Sequence, residues 1–227
     1  MNHFVWPIAL LAWWPELPPE PPRVRSLPSH RQAAAKQAAR RYAEGPLRVT
    51  DFRAAPPTEP VPGSPSLQAF TQTDFRFTWK YTISRRNRRF HLKATTIDLY
   101  GVVVRDRSWN RAPDNQRLLD HEQGHFDITE TAIRQARLKL QEPMSRRLIR
   151  ASGNTLKRAL RRLEENVLQF LEPFAAETRK RHTHYDRVTG HGKNSAAQHR
   201  ERMRQKNDLD RLAKQLRVLP GTTHSPE

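Results

Sequence analysis

Two histidines and a glutamate near the middle of the chain have the types and spacing of a metal-dependent hydrolase site. His121, Glu122 and His125 form the pattern His-Glu-x-x-His. On a helix, residues four apart lie one turn apart and about 40° around the axis, so both imidazoles can approach one ion. Glu122 lies about 100° from His121, where its carboxylate can act as a general base without being a ligand. The alternative is a pair of ordinary histidines on an ordinary helix.

A catalytic zinc site needs a third protein ligand and keeps its fourth position for water. The chain has no cysteine, so a metal must bind to histidine and carboxylate groups. His191 is our first choice, because the flanking Gly190 and Gly192 allow a tight backbone bend that suits a ligand delivered from a loop. Asp186 is the second choice and Glu164 the third.

Three further residues close to these candidates have two interpretations each. His182 and His184 could join the ligand cluster, but we assign them to the basic end of the preceding helix. Tyr185, if it lies close to the substrate, can donate a hydrogen bond to a developing oxyanion. A packing role for this tyrosine is the alternative.

The histidine motif belongs to a segment with helical periodicity, predicted from Gln116 to Leu140. Its apolar residues recur at seven-residue steps, at Leu119, Phe126, Ile133 and Leu140. The histidine face continues in apolar residues, so we expect it to point inward. Asp127 and Glu130 are predicted on the far side, where Glu130 and Arg134 suit a surface ion pair.

Other periodic segments predict the elements around this helix. Apolar and polar residues alternate from Phe75 to Ile83, which predicts a strand with one face on a core. A second strand follows from Phe90, with a bulge near Thr95, and the run Val102 to Val104 extends it or forms a third strand. An extended substrate could pair with an open edge of this sheet.

Two more helices are predicted after the motif, from Leu156 to about Arg181 with a kink at Pro173, and from Ser195 to Leu216. The fold class is therefore α+β: a small antiparallel sheet packs on the His121 helix and two further helices follow. Residues 47–218 are predicted to form this domain, and 219–227 a disordered tail.

The region 1–46 is rich in proline, and 13 of the chain's 18 prolines lie at or before Pro65. A peripheral helix is predicted from Ser29 through Ala43. The apolar run from Phe4 to Trp14 is far shorter than the roughly 20 residues of a membrane-spanning helix. It has the length of a secretory signal core, although no Lys or Arg precedes it, and an apolar tail is the alternative.

The net charge of +18 favours contact with polyanions, because binding them releases counterions. Binding of nucleic acid or of an anionic envelope is therefore a second hypothesis. The sequence has no fingerprint of a nucleic-acid-binding fold, so a solvated surface also explains the basic runs.

The stretch from Leu118 to Ile128, with Glu130 and Arg134 after it, resembles a bacterial family of predicted secreted zinc-dependent proteases, also described as a domain of unknown function. The resemblance covers about residues 47–212. Upstream it includes Asp51-Phe52 and, after the paired strands, Ser108-Trp109.

A second signature of that family resembles the segment after the helices. It consists of Tyr185, Asp186, Thr189, His191, Gly192, Asn194 and Gln198. The chain departs from it at Val188, where an acidic residue is expected, and at Ser195, where a glutamine is expected.

The resemblance implies a zincin-like metallopeptidase that binds zinc and acts on a peptide or protein substrate. It implies metal ligation by His121, His125 and His191, with Glu122 as the catalytic base. It also implies a secreted or periplasmic protein, with a cytoplasmic one as the alternative. A zinc site that has lost its turnover is a third hypothesis.

Overall fold

The computed structural model describes residues 4–9, 38–59, 67–142 and 149–218. The strands are β1 (Phe4–Ala9), β2 (Ala39–Arg41), β3 (Ala69–Phe70), β4 (Thr73–Arg86), β5 (Arg89–Val104), β6 (Trp109–Asn110) and β7 (Arg150–Gly153). The helices are α1 (Gln116–Gln141), α2 (Leu156–Thr189) and α3 (Ser195–Val218). This mixture of a small antiparallel sheet and three helices confirms the predicted α+β class.

A long antiparallel hairpin of β4 and β5 forms the centre of the sheet. Its two-residue turn contains Asn87 and Arg88, both at positive φ, as a type I′ turn requires. Lys80 pairs with Thr96 and Tyr81 with Ala94, so the residue between the two partners on β5 is the extra one. The bulge predicted near Thr95 is therefore confirmed, and the run ending at Val104 extends the strand.

The sheet has the strand order β1, β4, β5, β2, and β7 also pairs with β5. All these pairings are antiparallel. In this order β1 and β2 lie at the two edges. The short strands β3 and β6 form a separate antiparallel pair, in which Phe70 lies opposite Trp109.

The predicted helix from Ser29 through Ala43 is wrong at its C-terminal end. Ala39–Arg41 is strand β2, which pairs with the end of β5. The buried Arg40 side chain forms an ion pair with the buried Asp51, so tertiary contacts override the helical propensity of this alanine-rich segment. Residues 29–37 of the prediction lie outside the described residues.

The apolar run predicted from Phe4 to Trp14 begins as strand β1, and its remainder lies outside the described residues, as does the tail at 219–227. Across the described ranges, no helix is both long and apolar enough to cross a lipid bilayer.

The main core lies between one face of the β4–β5 hairpin and the helices α1 and α2. It consists of apolar side chains that alternate along the strands and recur at helical spacing along the helices. Its fully buried members larger than alanine are Phe75, Phe77, Leu99, Ile133, Leu163 and Val167. Because α1 contributes Ile133 to this core, the helix is held against the sheet and the turn that bears its histidines is fixed in place.

Helix α2 is longer than predicted. It begins after Thr155, whose side chain accepts a hydrogen bond from Arg158 N, continues through Pro173 and ends at Gly190 in the left-handed conformation. The basic run near Arg181 therefore does not end the helix. The last two turns instead pack against the histidines of α1, which brings Asp186 to them.

Glu164 on α2 is a buried carboxyl group. Burial, and next the charge of Glu165, raise the pKa of Glu164 to about 7. The folded chain thus holds this proton more tightly than the unfolded chain, in which a glutamate has a pKa of about 4.3.

Glu164→Gln is expected to remove a loss of stability that depends on pH. The free energy of unfolding of the native protein should fall as pH rises from about 4.3 through 7, because the folded state must then bury a charge. At pH 8 the variant should be more stable than the native protein by about 1 kcal/mol, a value limited by solvent screening. Urea unfolding at pH 4 and 8 measures this, with the exposed Glu172→Gln as control. A variant less stable than the native protein at pH 8 would contradict the expectation.

Candidate metal centre

His121 and His125 lie one turn apart on α1, as the motif predicts. The helix begins after Asn115, whose side chain accepts a hydrogen bond from Leu118 N. The two imidazole rings stand edge to face, with centroids 4.9 Å apart. Their Nε2 atoms both lie 3.0 Å from Oδ1 of Asp186 on α2. The helical spacing therefore aims two nitrogens at one point, and the next helix places a carboxylate oxygen there.

His121, His125 and Asp186 form a group that could hold a metal ion. One ligand atom from each residue lies within 4.8 Å of the others. Among the described residues, this is the group in which three such side chains converge. Asp186, the second choice from sequence, is thus the carboxylate that reaches both imidazoles.

His191 lies at the rim of this group, in the turn after α2. Gly190, His191 and Gly192 all have positive φ, which is the tight bend expected from the two glycines. His191 Nδ1 lies 3.4 Å from Asp186 Oδ1 and is buried, but no acceptor is aligned with it for a hydrogen bond. Its role as a metal ligand stays a prediction.

Glu164, the third choice, is wrong as a ligand. It lies on the same helix as Asp186 and 22 residues before it. At 1.5 Å per residue, roughly 33 Å of helix separate the two side chains. The helix that carries Asp186 to the site therefore carries Glu164 away from it.

Glu122 is buried, and its Oε2 accepts a 2.5 Å hydrogen bond from the Thr71 hydroxyl. Thr71 lies between β3 and β4, and the residues on either side of it are both held by contacts. Phe70 pairs with Trp109, and Gln72 N donates a hydrogen bond to the fully buried Ser108 Oγ. The Ser108-Trp109 pair noted in the sequence therefore positions the partner of Glu122.

The opposite side of α1, where the sequence placed Asp127, is also buried. This carboxylate accepts hydrogen bonds from Tyr42 and Gln123 and pairs with Arg202 of α3. Gln123 in turn accepts a hydrogen bond from Leu47 N. The residues before β3 and helix α3 thus both fix the rotation of α1 about its axis.

The ion pair predicted between Glu130 and Arg134 is present, with 2.9 Å between Oε1 and Nε. It does not lie on the surface, because Glu130 is only 4% exposed. The carboxylate also lies 3.8 Å from Arg137 Nη1. Helical spacing predicted the pair correctly, but it could not show the elements that cover it.

Tyr185 supports the site by packing. Its ring stacks on His121, with centroids 4.7 Å apart and planes 11° from parallel. The side chain is 1% exposed and its hydroxyl lies against Gly124. This buried position fits the packing interpretation rather than the oxyanion-donor one.

His182 takes part in the site, which corrects its assignment to the basic end of the helix. Its Nδ1 lies 2.8 Å from His125 Nδ1, on the side of that ring opposite Asp186. His184 is exposed and contacts Arg187, as its assignment predicted. The four-residue spacing of His182 and Asp186 on one helix is the signal that could have identified the contact.

The charges in the group depend on one another. Burial alone would raise the pKa of Asp186, but His125, His121 and His191 together hold it well below its usual range. Burial lowers the pKa of His121. Burial also lowers the pKa of His125, but the charge and hydrogen bond of Asp186 outweigh this and leave it raised. A metal ion that binds here therefore competes with a proton on His125.

The pKa values of His191 and His182 shift in opposite directions. The contact with the Asp186 carboxylate, 3.4 Å away, raises the pKa of His191. Burial, and next the charge of His125, lower the pKa of His182 to about 3, so this imidazole is neutral at physiological pH.

Fold and site together define an α+β protein with a His-His-Asp group beside a buried glutamate. A bacterial family described as a protein of unknown function (DUF922) matches residues 54–192, and the chain belongs to this family. The matched range begins before β3 and ends at Gly192, so it contains the His-His-Asp group together with Thr71, Glu122, His182 and His191. No curated protein and no solved structure matches the chain.

Gly124→Ala is expected to destabilise the protein. A Cβ at this position would lie 2.5 Å from Cζ of Tyr185, whose ring is buried and stacks on His121. Overpacking of this kind costs about 1–3 kcal/mol, more than alanine gains in a helix. Urea unfolding measures the loss.

Gly101→Ala is the matched control, because a Cβ there would meet Thr129 Cγ2 at 3.4 Å. The cost of Gly124→Ala should shrink in a Tyr185→Ala background, which removes the clashing ring. A Gly124→Ala protein as stable as the native one would contradict the packing described here.

Proposed function

We propose that this chain is a zinc-dependent peptidase. The observation that carries the proposal is the convergence of both motif imidazoles on one carboxylate oxygen, with a buried glutamate on the same turn of helix. A protein exported from the cytoplasm and a peptide or protein substrate are part of the proposal.

The donor atoms suit zinc. Three ring nitrogens, from His121, His125 and His191, surround Oδ1 of Asp186 at 3.0, 3.0 and 3.4 Å. Imidazole and carboxylate are zinc ligands, and catalytic zinc sites use three of them. A bound cation would account for the buried Nδ1 of His191, with which no hydrogen-bond acceptor is aligned. The site thus offers four donors for three ligand positions.

A bound zinc ion would supply Lewis acidity that polarises a substrate carbonyl and makes water more acidic. Glu122 acts as the general base that takes a proton from the attacking water, and then gives it to the amine released when the C–N bond breaks. Thr71 holds Oε2 of Glu122, which orients the carboxylate and leaves the other oxygen for the proton.

Substitutions of the donors should lower zinc content in a defined pattern. His121→Ala is expected to abolish binding. Asp186→Ala and His191→Ala are each expected to reduce it, because Asp186 lies where the two imidazoles converge and His191 Nδ1 lies 3.4 Å from that carboxylate. Zinc per chain, measured by mass spectrometry on protein purified at pH 8, gives the result. The variant with the larger loss identifies the third ligand.

Two controls accompany this measurement. His184→Ala changes an exposed histidine two residues before Asp186, and Glu164→Ala changes the distant carboxylate. Both should keep full zinc content. Full zinc content in both Asp186→Ala and His191→Ala would contradict the ligand set.

Glu122→Gln is expected to reduce peptidase activity on labelled casein about 100-fold or more while zinc content stays unchanged, because a general base contributes 10²–10⁴-fold. Asp120→Asn is the matched control, since Asp120 is exposed on the same turn of α1. Cleavage that survives Glu122→Gln would disprove the assigned role.

Two other outcomes separate the competing hypotheses. A native protein that binds zinc but cleaves no substrate would support the hypothesis of a zinc site that has lost its turnover. Salt-sensitive DNA binding that Glu122→Gln leaves unchanged, without cleavage, would support the polyanion binder suggested by the +18 charge.

A further inference from the structure

His182 lies behind His125, on the side of its ring that faces away from the other donor atoms. The two Nδ1 atoms are 2.8 Å apart, a hydrogen-bond distance. Between two ring nitrogens one must donate and the other must accept. Which nitrogen carries the proton decides what His125 presents at Nε2, the atom 3.0 Å from Asp186.

Thr129 determines the direction of this hydrogen bond. Its hydroxyl oxygen lies 2.8 Å from Thr73 Oγ1 and 3.1 Å from the carbonyl oxygen of His125. A hydroxyl group has one proton to donate, and Thr129 donates it either to the carbonyl oxygen of His125, which can only accept, or to Thr73. Toward His182 Nε2, at 3.4 Å, Thr129 therefore offers a lone pair.

Nε2 of His182 consequently carries a hydrogen, which it donates to Thr129. An imidazole with its one hydrogen on Nε2 accepts at Nδ1, so Nδ1 of His125 must carry the hydrogen of the bond between the two rings. A neutral His125 with its proton on Nδ1 has a lone pair on Nε2. That is the form of imidazole that binds a metal ion through Nε2.

We propose that His182 is a positioning residue, which holds His125 in the tautomer and ring orientation that present Nε2 to the metal. This inference rests on the metal-binding part of the proposed function and not on peptide cleavage. Such partners of metal-bound histidines typically contribute 10–100-fold to metal affinity.

His121 has the same arrangement with a different partner. Its Nδ1 lies 3.4 Å from Thr189 Oγ1, and Thr189 uses its own proton on the carbonyl oxygen of Tyr185 at 2.7 Å. Thr189 therefore accepts from His121 as His182 accepts from His125. Both supports lie on α2 with Asp186, at positions seven residues apart, so one helix face orients both imidazoles.

Zinc affinity of three variants tests the proposal, measured at pH 8 by competition with a chromophoric chelator. His182→Ala should bind zinc 10–100-fold more weakly than the native chain. His182→Asn places an amide oxygen where Nδ1 was and should recover most of the affinity. His184→Ala, exposed on the same helix, should bind as the native chain does.

A second measurement requires no metal. In ¹⁵N-labelled, metal-free protein, NMR of the imidazole nitrogens should show His182 with its proton on Nε2. Unchanged zinc affinity in His182→Ala, equal losses in the Ala and Asn variants, or a proton on Nδ1 of His182 would each overturn the proposal.

Failure of the peptidase can be recognised separately. If the native chain binds zinc but cleaves no substrate, the proposed peptidase function is wrong. The zinc affinities of the His182 variants still test the role of His182. A native chain that binds no zinc overturns both.

Discussion

The contact of Asp186 with two imidazoles is the interaction on which the site depends. A carboxylate removed from water is costly unless charged or hydrogen-bonding groups surround it. His121 and His125 meet that need, with Nε2 atoms 3.0 Å from one oxygen. Because the histidines lie on α1 and the carboxylate on α2, the same contact holds the two helices in register. The packing of α1 against α2 therefore also determines the positions of the donor atoms.

The length of α2 connects this site to the core. Its first half contributes Leu163 and Val167 to the apolar layer against the sheet, and its last two turns contribute Asp186 and Thr189 to the site. Gly190 then ends the helix in the left-handed conformation and turns the chain back over His121. A rigid element anchored by apolar burial can hold polar groups more precisely than a loop can.

Local patterns predicted much of this fold and part of the site. Alternation identified β4, helical periodicity located α1, and the spacing of His121 and His125 placed both rings on one face. The end of α2 was missed because a basic run resembles a helix end, whereas contacts with α1 keep it helical. Thr71 and His182 were missed for a related reason. They meet their partners across 51 and 57 residues of chain, and only His182 has a signal in the sequence, its four-residue spacing from Asp186 on one helix.

The two distant sequence signatures acquire a common physical meaning in the fold. Ser108 and Trp109 hold the segment that brings Thr71 to Glu122, while Asp186 and His191 belong to the group around the histidines of α1. Each signature thus fixes a different part of one site: the first orients the proposed base, and the second supplies donors for the proposed metal. A chain that only needed a stable helix pair would gain little from burying the first set of polar groups and partly burying the second, because apolar side chains fill such space at lower cost.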